Sequence, residues 1–150
     1  MQAPAYQPLN PQIIGQTESA LGALLGPVLA EAGRSFEQWV VLAVTADGSP
    51  VDRDRLVARV ADARKIAAAD VEAAVAGLAA DGALSVESGE VVLTATGQDV
   101  RRRIRARIDE VTSGLFDFPA DDLTTAGRVL ATVTERANAF LASHAADKAK

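Results

Sequence analysis

Apolar residues recur three or four positions apart along most of the chain, which is the spacing of one face of a helix. This pattern predicts helices over 12–32, 36–45, 53–62, 67–81, 98–116 and 121–143. Pro27 lies inside the first of these and should kink or interrupt it, because proline lacks the backbone N–H. Ser35 and Gln38 have the spacing of a capping box at the start of the second helix. Asp52 is expected to cap the third.

The pattern changes after the fourth predicted helix. Apolar and polar residues alternate between Leu84 and Thr94, around a Ser88-Gly89 pair. Alternation predicts strands, and Ser-Gly is a hairpin signal, so we expect two strands joined by a tight turn. Three short helices followed by a hairpin form a winged helix-turn-helix, which we assign to residues 35–97. The predicted fold class is therefore mainly α, with a small β-hairpin wing.

The flanking helices have more apolar surface than this small core can cover. Val100, Ile104 and Ile108 form a seam along the predicted 98–116 helix, and 121–143 has a heptad-like spacing. Such seams favour a partner helix. We therefore predict a homodimer whose dimerisation region is 12–34 and 98–143, interlocked with the core as one domain. Residues 1–11 are expected to be a flexible arm, and 144–150 a frayed tail.

Composition excludes several classes of chemistry. The 150 residues contain no Cys and one His, and the formal net charge is −5. Disulfides and thiolate metal sites are excluded, and no metal or other cofactor is expected. No Ser-His-Asp set or phosphate-binding loop is present, so we do not expect an enzyme. No apolar run approaches the roughly 20 residues of a membrane span, and no secretion signal is evident. We therefore expect a cytoplasmic protein that does not bind membranes.

Several short strings, in order, resemble one known family. The strings are FEQWVVL at 36–42, LAADG at 78–82, LTATG at 93–97 and FPADD at 118–122. Their order and spacing over residues 12–143 resemble those of the MarR (multiple antibiotic resistance regulator) family of winged-helix repressors. The resemblance implies an obligate homodimer on a pseudo-palindromic site in double-stranded DNA. Each recognition helix would enter a major groove and each wing a minor groove. A small, often aromatic or phenolic, ligand would release the DNA.

Positions carried over from this family define a candidate DNA-reading surface. On the recognition helix they are Ala68, Ala69, Asp70, Glu72 and Ala73, and at the wing tip they are Ser88 and Gly89. The alanines offer only methyl contacts, and the carboxylates can accept only from cytosine N4. No Lys or Arg occurs between 66 and 97. Favourable interaction with the helix dipole is a sufficient structural role for the two carboxylates.

Positive charge lies on both sides of this stretch, in two clusters. The first comprises Arg53, Arg55, Arg59, Arg64 and Lys65, and the second comprises Arg101, Arg102, Arg103, Arg105 and Arg107. We predict phosphate contacts for Arg53, Arg55, Arg64, Lys65, Arg101, Arg102 and Arg103, because phosphate contacts provide affinity without reading sequence. The alternative is a solvated surface neutralised by nearby acids, which are Asp52, Asp54, Asp62, Asp109 and Glu110.

Two residues are candidates for ligand binding. Trp39 lies near the position where the family binds effectors, and Arg107 could bind a small aromatic or anionic effector. The alternatives are a core aromatic and a surface cation. The resemblance, taken with these patterns, implies a DNA-binding transcriptional repressor released by a small molecule. The alternative is a winged-helix dimer that has lost sequence-specific DNA binding and acts as a protein- or ligand-binding module.

Overall fold

A computed structural model describes residues 5–150 of the chain. Over this range the elements are α1 (Pro11–Glu31), α2 (Phe36–Val44), β1 (Val51–Asp52), α3 (Arg53–Arg64), α4 (Ala68–Ala80), β2 (Leu84–Glu87), β3 (Glu90–Leu93), α5 (Ala95–Thr112) and α6 (Ala120–Lys148). The mainly helical class with a small wing is confirmed. Residues 1–4 of the predicted arm lie outside the described range, and 5–10 have no regular secondary structure. The chain divides into two compact units, Met1–Val111 and Thr112–Lys150.

Helix α1 continues through Pro27, so of the predicted kink or interruption at this residue the interruption does not occur. Asn10 caps the start of the helix, and its side chain accepts a hydrogen bond from the Ile13 amide at 3.0 Å. A proline in a helix removes one hydrogen bond and crowds the preceding turn. Here the turn that follows contains the only two buried residues of α1, Val28 and Leu29. Their burial offsets the cost of the proline and keeps the last turn helical.

Helix α1 is also long and apolar enough to cross a membrane by length and composition alone, with a mean hydropathy of 1.2. The sequence-based expectation overlooked it because glycines and isolated polar residues interrupt the apolar run. One such helix near an N-terminus is weak evidence for a span, since core helices of soluble proteins and signal sequences meet the same criterion.

The core lies among α2, α3, α4 and the sheet. Each of the three helices presents one buried face to it, and Ile104 adds a residue from α5. The fully buried large side chains are Leu42, Leu56, Leu78, Val41, Val60, Val71, Val75, Val91 and Thr45. This cluster positions α4 against α2 and α3 as in a helix-turn-helix.

The predicted caps are confirmed. Ser35 and Gln38 form a reciprocal capping box on α2, with both hydrogen bonds at 3.1 Å. Asp52 caps α3 by accepting from the Arg55 amide at 2.9 Å. Gly77 lets α4 pack closely on the capping box of α2, because a Cβ at residue 77 would lie 2.8 Å from Gln38 Nε2. The start of α2 is thus also part of the α2–α4 contact.

The wing is a sheet of three strands in the order β1-β3-β2, not the predicted hairpin of two. The additional strand pairs Val51 with Val91 and is two residues long, too short to show alternation in the sequence. The predicted Ser88-Gly89 turn is confirmed. Both residues have positive φ, 51° and 78°, as the tightest hairpin turns require.

Helix α5 begins three residues before the predicted position 98 and ends four residues before 116. Its start is set by Thr94, whose hydroxyl accepts from the Gly97 amide at 3.0 Å. Gly97 lies against the end of α4, where a Cβ would meet the Ala83 carbonyl oxygen at 2.1 Å. Gly114, with φ of 82°, follows the helix at its other end.

Helix α6 is the main element of the second unit. It continues to Lys148, so most of the predicted 144–150 tail is helical, and the Phe140 and His144 rings stack at 4.3 Å in its last turns. None of its residues is buried. Its exposed large apolar side chains are Leu123, Leu130, Val133, Phe140 and Leu141.

Candidate nucleic-acid interface and ligand cavity

The outward face of α4 presents small and acidic side chains. Its buried face consists of Val71, Ala74, Val75 and Leu78. The five positions predicted to read bases are all exposed, namely Ala68, Ala69, Asp70, Glu72 and Ala73. Asp70 and Ala73 also line a surface cavity of about 390 Å³ against the start of α2. The face is therefore accessible, but it offers methyl groups and carboxylates and no cation.

The first basic cluster lies on α3, and its first residue adjoins the wing. The Arg53 amide donates to the Gly89 carbonyl at 2.9 Å, which places the start of α3 beside the wing turn. Arg55 and Arg59 are exposed on the same helix, and neither forms an ion pair with any residue in the 5–150 range. These two guanidinium groups are available to an external anion.

Arg64 and Lys65, at the end of α3, face different partners. The Arg64 guanidinium lies 4.4 Å from the centre of the Phe36 ring, which is a cation–π contact with α2. Lys65 has a left-handed backbone and pairs with Asp62 at 2.9 Å. Both side chains remain exposed. An exposed ion pair such as Lys65–Asp62 is weak and competes poorly with a phosphate.

The wing tip is acidic. Ser88 and Gly89 are exposed at the turn, and Glu87 and Glu90 lie opposite each other on either side of it. Like charges at facing positions of a hairpin repel. A wing with this tip does not complement the electronegative minor groove.

The second basic cluster does not form one surface. Consecutive helical residues point about 100° apart, so the run 101–103 spreads around α5. Arg101 is half-buried, and its Nε is buried without a hydrogen-bond partner within residues 5–150. Arg102 is exposed and pairs with Asp99. Arg103 lines a cavity between α5 and α1. Arg102 and Arg103 are both exposed, whereas Arg101 is half-buried, so phosphate contacts at Arg102 and Arg103 stay a prediction.

That cavity, about 320 Å³ in volume, combines an apolar wall with charged side chains. Its lining residues are Val28, Glu31, Ala32, Val100, Arg103, Ile104 and Arg107. Two guanidinium groups and one carboxylate therefore face a largely aliphatic surface. An amphiphilic anion with a compact apolar body matches this lining.

Of the two predicted ligand-binding residues, the structure places only Arg107 in this cavity. Trp39 is half-buried and packs against the core. Arg107 pairs with Glu110 at 2.7 Å and lies 3.7 Å from Glu31. A hydrogen bond to Glu110 is the main reason that the pKa of Arg107 is raised above its ordinary value, and the charges of Glu110 and Glu31 add to it.

Sequence reasoning missed an ion pair between the α1–α2 connection and α4. Arg34 pairs with Asp81, the residue that ends α4, and the Arg34 side chain is only 12% exposed. The two residues are 47 positions apart, so no local sequence spacing predicts the pair. Glu31 was missed for the same reason, since its partner Arg107 lies on α5.

Within residues 5–150, no group of three or more His, Asp or Glu side chains could hold a metal ion. No protein-family model matches the chain, and no curated protein matches it.

Solved structures, by contrast, match over most of the chain. NadR in complex with 4-hydroxyphenylacetate is 19% identical, with a TM-score of 0.69 over 85% of this chain and 96% of its own. The Mycobacterium tuberculosis MarR family protein Rv2887 in complex with DNA is 16% identical, with a TM-score of 0.66 over 85% and 98%. Sco5413, a MarR family transcriptional regulator from Streptomyces coelicolor, is 14% identical, with a TM-score of 0.66 over 85% and 91%. The chain thus has the winged-helix fold of MarR family regulators.

Proposed function

We propose that this chain is a MarR-type transcriptional regulator that binds double-stranded DNA as a homodimer and responds to a small anionic ligand. The observation that carries the proposal is the fold, shared over most of the chain with regulators of this family, one of them in complex with DNA. By analogy, its action is repression of transcription, relieved by the ligand. It works in the cytoplasm and without a cofactor.

Affinity for DNA comes mainly from α3 and the adjoining wing turn. Arg55 and Arg59 form no ion pair within the 5–150 range, and Arg64 and Lys65 contact only an aromatic ring and one exposed carboxylate. In a helix-turn-helix, the element before the recognition helix crosses the phosphate backbone. Ala68 to Ala73 then approach the bases without adding charge, which makes binding modest and strongly dependent on salt.

The dimer is supported by apolar side chains that the single chain leaves exposed. Leu24 on α1 is 40% exposed, and Leu115, Phe116 and Phe118 between α5 and α6 are 43%, 60% and 62% exposed. Helix α6 buries no residue at all. Exposed apolar area of this kind is typical of an interface rather than of a free surface.

The ligand binds in the cavity between α1 and α5. Arg103 and Arg107 meet its anionic group, and Val28, Val100 and Ile104 contact its apolar part. NadR in complex with 4-hydroxyphenylacetate, an anion with an apolar ring, has the same fold.

A DNA titration at several salt concentrations tests the function. Fluorescence anisotropy with labelled DNA from upstream of the coding region should show binding that weakens steeply as salt rises. Changing Arg64 and Lys65 together to Ala should weaken binding to all sequences alike. As a matched control, changing Arg128 and Arg136 on α6 to Ala removes the same charge outside the winged helix. Failure of the wild-type protein to bind at low salt would refute the proposal.

A second candidate is a winged-helix dimer that binds a partner protein. The observation in its favour is the lack of any cation on the exposed face of α4, together with Glu87 and Glu90 at the wing tip. It requires a partner with a basic surface. Changing Glu72 to Lys separates the two candidates, because it should strengthen DNA binding and weaken binding to a basic protein.

A further inference from the structure

Two ion pairs join one short segment, residues 31–34, to the ligand cavity and to the end of the recognition helix. Arg107 lines the cavity and lies 3.7 Å from Glu31, at the end of α1. Arg34, three residues after Glu31, pairs with Asp81 at the end of α4. The order of charges from the cavity to α4 is therefore positive, negative, positive, negative.

The first pair in this series is easily broken. The Arg107 and Glu31 side chains are 44% and 67% exposed. Ion pairs between exposed side chains contribute little to stability, because water solvates both groups well. An anion held in the cavity by Arg103 and Arg107 can therefore displace Glu31 at small cost.

In the second pair, Arg34 and Asp81 each compensate an unfavourable environment of the other. Arg34 is 12% exposed, and its Nε is buried without a hydrogen-bond partner within the described range, so its guanidinium requires a counter-charge. Asp81 lies at the C-terminus of α4, where the helix dipole disfavours a carboxylate. If Glu31 becomes an alternative counter-charge for Arg34, Asp81 loses its compensation and the end of α4 is destabilised.

The backbone around these residues limits the movement to the α1 side. Gly97 packs directly on the Ala83 carbonyl, and Thr94 also donates to that oxygen, so α5 is fixed against the turn that joins α4 to β2. On the other side, the Arg34 amide donates to Leu29, the last buried residue of α1, and the residues between them are exposed. Because Glu31 lies among these exposed residues, its side chain can change partner without disturbing the core.

We propose that Glu31 is a switching carboxylate, which pairs with Arg107 when the cavity is empty and draws Arg34 away from Asp81 when an anion occupies it. The proposal rests on the function proposed above, whose ligand-responsive site it deepens. It assigns positioning roles to Glu31, Arg34 and Asp81, none of which contacts DNA in this scheme. It also explains how a charge in the cavity affects α4 without a large conformational change.

The lack of native cysteine allows a direct test. Ala32, which is exposed and lines the cavity, is changed to Cys and labelled with methanethiosulfonate reagents carrying a sulfonate, an ammonium or a methyl group. Amide hydrogen exchange is then measured by NMR at Asp81, Gly82 and Ala83, whose amides bond to carbonyls in the last turn of α4. The sulfonate should accelerate exchange at least about five-fold over the methyl label, a small value for coupling between sites. The ammonium should not.

Matched variants test whether the effect of the label reaches α4 through Glu31 and Asp81. Labelling at Ala30, which is exposed on the same helix but does not line the cavity, should have no effect. In the Ala32→Cys background, Glu31→Gln or Asp81→Ala should remove the difference between sulfonate and methyl labels. Equal exchange with all three labels, or a sulfonate effect that persists in Glu31→Gln, would overturn the proposal. Because exchange is measured without DNA, its outcome is independent of whether the protein binds DNA.

Discussion

Replacing Gly97 by Ala should destabilise the protein, although alanine is the better helix former. A Cβ at this position would lie 2.1 Å from the Ala83 carbonyl oxygen and 2.4 Å from Leu93 Cδ1. The Leu93 side chain can rotate, but the Ala83 oxygen belongs to the backbone and also accepts from Thr94. The end of α4 or the start of α5 must therefore move.

The expected change in unfolding free energy for Gly97→Ala is the sum of two opposing effects. An extra carbon in a well-packed interior costs about 1–3 kcal/mol, and more when backbone must shift. Helix propensity returns at most about 1 kcal/mol on changing Gly to Ala. Because the obstacle is a backbone oxygen, we expect a net loss of about 2 kcal/mol or more. For a chain of this size, that lowers the melting temperature by roughly 4–8 °C.

Urea unfolding monitored by the fluorescence of Trp39, the single Trp, provides the assay. Gly15→Ala in α1 is the matched control, because no atom lies within 4 Å of its added Cβ. The control should be neutral or stabilising by up to about 1 kcal/mol. An unchanged or raised urea midpoint for Gly97→Ala would refute the packing argument.

Three further variants test individual contacts. Ser35→Ala removes the capping box of α2 and should cost about 1 kcal/mol in urea unfolding, whereas Ser35→Asp should retain most of the stability. Gly89→Ala places a side chain at a φ of 78° in the wing turn, which should cost about 1 kcal/mol; a cost near zero would contradict the turn geometry. A double-mutant cycle of Arg64→Ala and Phe36→Leu should give a coupling of roughly 0.5–1 kcal/mol, and strictly additive effects would exclude the cation–π contact.

The helices and their caps could be predicted from the sequence because their causes are local. The Ser35–Gln38 box and the Asp52 cap depend on residues three positions apart, and the structure has both. Helix boundaries set by distant contacts were predicted less well. The start of α5 depends on Thr94 and on the contact of Gly97 with Ala83, which is remote in sequence. Pro27 was misjudged because the burial of the turn after it could not be inferred from the sequence.

The candidate site was predictable in its charge and not in its geometry. The lack of basic residues on the recognition helix is visible in the sequence, and exposure of Asp70 and Glu72 agrees with it. The ligand cavity, however, depends on how α1 packs against α5. It therefore includes Glu31, which no pattern indicated, and omits Trp39, which position in the family suggested.

Arg101, Arg102 and Arg103 are adjacent in sequence, but each has a different environment. Neighbouring single substitutions in α5 should therefore have unrelated phenotypes: altered folding at the first, altered electrostatics at the second and altered ligand response at the third. A scan that neutralised all three together would mix these effects and could not assign any of them. Substituted one at a time, these three residues report separately on folding, electrostatics and ligand response, although they lie within a single helical turn.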